Sequence, residues 1–147
     1  GGLFHDMAPH QLALMYYFFG SIKQMNAIGV NQASLYKADD LVTGNIVFNS
    51  GVVVNGIWCF SVADNLEEDQ CEIIGTEGKI NFSIFEANTI TISKAGWDEV
   101  LHFESMQHVQ LPMIEKVVEY FLDQHENPCS AEDGVVVMKM LDAFVSG

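Results

Sequence analysis

Leu41-Val42-Thr43-Gly44-Asn45-Ile46-Val47-Phe48, then Asn49-Ser50-Gly51, then Val52-Val53-Val54-Asn55-Gly56-Ile57-Trp58-Cys59-Phe60-Ser61-Val62 is the stretch that decides the fold class. Two runs rich in Val, Ile, Phe and Trp, residues that suit a pleated, half-buried surface, flank three turn formers. That pattern predicts a β-hairpin closed by a short loop. It recurs downstream: Cys71 to Ile74, the turn Gly75-Thr76-Glu77-Gly78, then Lys79 to Ile84. Asn88 to Ser93 and Glu99 to Phe103 add two short strands around Lys94-Ala95-Gly96, and Ala27 to Tyr36 adds one upstream. Six or seven strands with mostly short connections imply a largely antiparallel sheet.

Helical spacing brackets this region. Over residues 7–19, Ala8, Leu12, Met15, Tyr16 and Phe19 mark one buried face, and Gly20 is a natural stop. Ile114, Val117, Val118, Phe121 and Leu122 make a second stripe, ended by Asn127-Pro128. The last helix opens with Ser130-Ala131-Glu132-Asp133, a serine three residues ahead of an acid, close to a capping box. Val137, Met140, Leu141 and Phe144 then share a face. The expected class is α+β: an open, mostly antiparallel sheet with helices packed on one face. No linker, repeat or low-complexity tract interrupts it, so residues 1–147 read as one domain. Ile57-Trp58-Cys59-Phe60 places apolar groups on both faces of its strand, so the second sheet face needs cover. A second subunit is the simplest cover, which predicts a homo-oligomer.

Composition narrows the function. With 49% hydrophobic residues the chain is not a disordered tail. Six Lys+Arg against 20 Asp+Glu give a net charge of −14, which would repel phosphate backbones and anionic lipid. Neither nucleic acid nor a membrane is an expected partner, and apolar runs such as Ile57 to Phe60 are far shorter than the ~20 residues of a membrane helix. Cys59, Cys71 and Cys129 have no CxxC spacing and read as free thiols in a reducing cytoplasm. The sequence opens Gly1-Gly2-Leu3 without Met, almost directly at a helix, which reads as a piece of a longer chain.

The densest group of titratable side chains is His5-Asp6-Met7-Ala8-Pro9-His10. Asp6 and His10, four apart, stack on one helix face, where a carboxylate can orient an imidazole for proton transfer. Plainer readings stand beside this one. Asp6 can serve as an N-cap with Pro9 tolerated in the first turn, and His10 as a satisfied, partly buried histidine. His5, Asp6 and His10 are also metal-ligand types, but adjacent side chains diverge and no further His or Cys cluster completes a shell. No metal is therefore expected. His102, His108 and His125 are isolated and read as a strand end, a loop and a helix end. Gly75 to Gly78 sits between strands and carries no GxGxxG or P-loop lysine.

The segment Gly1-Gly2-Leu3-Phe4-His5-Asp6-Met7-Ala8-Pro9-His10 resembles the G-G-x-x-x-D-x-x-x-H opening of the C-terminal domain of the glucose–fructose oxidoreductase, inositol dehydrogenase and rhizopine-catabolism (Gfo/Idh/MocA) family. Three more landmarks follow in order. Phe48-Asn49-Ser50-Gly51-Val52 is similar to the family's F-x-N-G hairpin, Glu72 to Ile80 to its E-I-x-G-T-x-G hairpin, and Pro128 to Gly134 to its P-x-s-x-E-D-G helix start. The resemblance implies a Rossmann domain upstream that binds NAD or NADP, with this chain as the substrate-binding and oligomerisation half. It implies His10 as the acid–base and Asp6 as a substrate-orienting carboxylate, with His5 beside them as a further substrate contact. The implied reaction is oxidation of a CH–OH group of a sugar, polyol or related metabolite, with the chain inactive without its cofactor domain. Some relatives cleave glycosidic bonds through transient use of the nicotinamide, and a non-catalytic binding or assembly module is the third option. Many members carry an acid three positions after the histidine, where this chain has Ala13, a departure that bears on substrate choice and on support of the histidine.

Overall fold

The computed structural model describes residues 2–86 and 88–145, so Gly1 of the opening motif lies outside the described residues. The order is α1 (Leu3–Phe19), β1 (Ile22–Val30), β2 (Leu41–Phe48), β3 (Val53–Cys59), a 3-10 turn (Asp64–Leu66), β4 (Cys71–Gly75), β5 (Gly78–Phe82), β6 (Thr89–Lys94), β7 (Trp97–His102), α2 (Leu111–Phe121) and α3 (Ala131–Val145). The class is α+β, and every strand pairing is antiparallel. The strands fall into two sheets where the spacing suggested one: β1-β2-β3 and β4-β5-β6-β7. They belong to two compact units. One runs to Asp64 and resumes at Cys129; the other is Asn65–Pro128.

In the first unit β2 is central, and its alternate residues Val42, Ile46 and Phe48 are buried, as a period of two requires. Met140, Leu141 and Phe144 of α3 and Phe4, Ala8, Leu12 and Met15 of α1 complete this core. The rings interlock. Phe4 stacks on Phe144 at 5.9 Å, and Trp58 meets both edge-on at 5.3 and 5.6 Å. The other face of the same sheet is exposed: Ile28 and Ile57 both stand opposite Thr43 in register, at 64% and 75% exposure. Asn26, Asn45 and Asn55 form the next row.

The strand expected over Ala27 to Tyr36 instead ends at Val30, and Asp40 explains why. Its carboxylate is wholly buried and accepts the backbone N–H groups of Gln32 (2.9 Å) and Ala33 (2.8 Å). Its own N–H donates to Val30 O at 3.1 Å. Satisfying that buried charge turns residues 31–39 into a loop.

The second unit is a meander. Gly75 and Gly78 pair across the two-residue turn Thr76-Glu77, as the glycine-bounded spacing predicted. Alternation gives its sheet one apolar face, which includes Ile73, Ile80, Ile92, Phe82, Ile90 and Leu101. The opposite face carries Glu72, Lys79 and Asp98, with Lys79 bonded to Glu72 at 2.9 Å. None of the side chains of α2 is buried, and α2 stops at Phe121, before the expected Asn127-Pro128, because Asp123 takes the left-handed conformation (φ 56°). The Ser130 cap forms as expected. Asp133 N donates to Ser130 Oγ (3.1 Å), while Asp133 Oδ2 accepts from Ser130 Oγ (2.7 Å) and N (3.1 Å). The hydroxyl bond first, and the backbone bond second, hold the Asp133 carboxyl below its ordinary range.

Candidate functional site

Helix α1 begins at Leu3, four residues earlier than residues 7–19 suggested, with Gly2 as its N-cap. Gly2 has φ 106°, and a Cβ there would stand 2.5 Å from the Cβ of Ala38. Only glycine suits this position, and the loop of residues 31–39 lies against it. The early start corrects two of the plainer expectations. Asp6 is within the first turn and is not the N-cap, and Pro9 lies inside the helix. Pro9 has no N–H to give the carbonyl four residues back, that of His5.

Helical geometry then sorts the site residues. Phe4 and Ala8 point into the core. Asp6 and His10 each follow one of them by two positions, about 200° around the axis, and so face outward. Both are exposed and lie about 6 Å apart along the axis. The structure therefore stacks Asp6 and His10 on one exposed face at the N-terminal end of α1, with Ala13 exposed on the same helix.

His5 follows Phe4 by one position and occupies a flank. It is half-buried, packs edge-on to Phe4 (5.9 Å), and its Nδ1 is buried without a hydrogen-bond partner. It lines a cleft of about 290 Å³ with Phe4, Val145, and Lys37, Ala38 and Asp39 of the loop. Lys37 and Asp39 were missed by sequence reasoning, since an Ala27–Tyr36 strand leaves them as a mere connection. The doubled acid Asp39-Asp40 just before the apolar strand Leu41–Phe48 was the available signal. Nearby Tyr36 has a buried, unpartnered hydroxyl; burial, then the charge of Asp40, then Cys59 push its pKa up, so the phenol stays protonated.

The remaining histidines are separate. His102 closes β7, His108 lies in a bend, and His125 lies in the turn after α2 with Nδ1 3.1 Å from Glu126 O. Cys59 and Cys71 are free thiols, and burial, then the charge of Asp69, raise the Cys71 pKa. Among the described residues no three His, Cys, Asp or Glu side chains come together as a metal site. No helix among them is long and apolar enough to cross a membrane. The turn with glycines at both ends joins antiparallel strands β4 and β5 and opens no helix, so it does not aim a helix N-terminus at a pyrophosphate.

Comparison with known proteins agrees with this architecture. The family profile described as the GFO/IDH/MocA C-terminal domain matches residues 1–81. Oxidoreductase P35 of Formosa agariphila is 42% identical over 144 residues, covering 98% of this chain and 43% of that protein. The chain thus spans less than half of that relative. UDP-N-acetylglucosamine 3-dehydrogenase from Acidithiobacillus ferrooxidans is 20% identical with a TM-score of 0.78, over 92% of this chain and 43% of that one. A levoglucosan dehydrogenase in complex with NADH and levoglucosan is 19% identical with a TM-score of 0.81, over 96% and 46%. At these identities the two solved structures share the fold. The chain belongs to the GFO/IDH/MocA family, as its C-terminal domain.

Proposed function

We propose that this chain is the substrate-binding and oligomerisation domain of an NAD(P)-dependent oxidoreductase acting on a CH–OH group of a sugar or polyol. The observation that carries the reading is the Asp6/His10 pair, one turn apart on the exposed end of α1, in a chain of this family. A nicotinamide held by a Rossmann domain elsewhere in the protein supplies the hydride acceptor. This chain's part is the proton: His10 takes it from the substrate hydroxyl, and Asp6 orients the same hydroxylated carbon. Between exposed groups in water, polar interactions are weak, on the order of 1 kcal/mol or less. The pair needs a second surface to exclude solvent, so the chain is inactive without its cofactor domain. Two sugar-acting dehydrogenases with this fold support the substrate class.

The test is to mix the full-length protein with NAD⁺ or NADP⁺ and a panel of neutral sugars and polyols, and follow absorbance of the reduced nicotinamide. Growth of that signal is expected with at least one pair. Free sugar released from glycosides with no net absorbance change would transfer the assignment to an NAD-dependent glycosidase. Neither response would leave a binding or assembly module.

The exposed outer face of β1-β2-β3, with Ile28, Val53 and Ile57, is proposed as the subunit interface. Light scattering of the full-length protein should give a dimer or larger, in the cytoplasm where free thiols persist; a monomeric mass would sink this part.

A further inference from the structure

We infer that the cleft between the flank of α1 and the loop of residues 31–39 is a subsite for a neutral, hydroxyl-bearing sugar ring, separate from the Asp6/His10 face and recognised by His5, Lys37 and Asp39. This rests on the reading that the substrate is polyhydroxylated, and it adds a second set of recognition residues to that reading.

Three polar side chains of different character converge there. Lys37 offers N–H donors only, Asp39 offers acceptor oxygens only, and the imidazole of His5 carries a buried nitrogen without a partner. Among the described residues the side chains of Lys37 and Asp39 have neither an ion-pair nor a hydrogen-bond partner, so they do not satisfy each other. The carboxylate of Asp39 is positioned over the backbone of Gly29 on β1, where any side chain would displace it. A buried unpaired nitrogen is costly unless something fills the role of partner.

The charge pattern selects the ligand. Asp39 disfavours an anion and Lys37 disfavours a cation, while a hydroxyl both donates and accepts and so answers either. Phe4 and Val145 provide an apolar wall for the C–H face of a ring. At about 290 Å³ the cleft is at the small end of the ~300–1,000 Å³ usual for ligand pockets, which suits one ring. On the helix, His5 precedes Asp6 by one residue, about 100° around the axis and ~1.5 Å along it. A ring in the cleft therefore neighbours the Asp6/His10 face without occupying it.

The experiment uses the full-length protein, with D-glucose as the neutral probe and inorganic phosphate as the anionic one, and reads binding by ligand-observed saturation-transfer NMR. Lys37→Ala and Asp39→Ala should each weaken glucose binding about tenfold, the loss of a charge-assisted hydrogen bond. Gly29→Ala should do the same by displacing Asp39. His10→Ala should lower turnover yet leave binding at the cleft unchanged, so the proton-transfer reading and this subsite are tested independently. Glucose binding that ignores all three cleft substitutions overturns the proposal. So does phosphate binding that Lys37→Ala abolishes and Asp39→Ala strengthens, because that would make the cleft an anion site.

Discussion

Replacing His10 by alanine in the full-length protein should lower kcat by about 10²–10⁴-fold, the usual contribution of a positioned acid–base. Stability should hardly move, because His10 is exposed and faces away from Phe4 and Ala8. That separation makes the result readable: turnover falls while the unfolding midpoint and the nicotinamide affinity stay put. Asp6→Asn keeps the shape and removes the charge, so a smaller loss is expected from the orienting residue. Unchanged kcat in His10→Ala would remove the proton-transfer role from His10 and leave it to another group.

Phe144→Ala should be the most damaging single change to the fold. The side chain is 1% exposed, stacks on Phe4 and meets Trp58 edge-on. Truncating a buried Phe costs about 3–5 kcal/mol, from lost transfer energy and the cavity left behind. Against a total stability of roughly 5–15 kcal/mol this threatens the folded state itself. A urea titration checks it: the midpoint should drop with the slope unchanged, since the surface exposed on unfolding is nearly the same. A shift below about 1 kcal/mol would mean that the aromatic cluster repacks around the gap.

Much of the architecture could be read directly. β2 runs Leu41–Phe48 as expected, because its alternation and its flanking turn are both local signals. The Thr76-Glu77 turn and the Ser130 cap are local too, and both formed. The start of α1 was misplaced because Pro9 reads as a first-turn residue, whereas core contacts of Phe4 extend the helix past it. β1 was misplaced because its end depends on Asp40, a buried carboxylate whose partners Gln32 and Ala33 are eight and seven residues away. Asp6 and His10 were legible because helix spacing alone stacks them. Lys37 and Asp39 were not, because only the fold of the loop brings them beside His5.

The second compact unit is interposed within the first, between Asp64 and Cys129. On the ribosome, α1 and β1–β3 emerge with the inner face of their sheet only partly covered, by Phe4 against Trp58 and Phe19 against Phe48. Met140, Leu141 and Phe144, which close that face, follow only after Asn65–Pro128 has been made. At about 5–20 residues per second that interval lasts on the order of several seconds. Nascent chains therefore carry an incompletely covered sheet face for longer than a small domain takes to fold, and cellular yield should track chaperone supply more closely than equilibrium stability does.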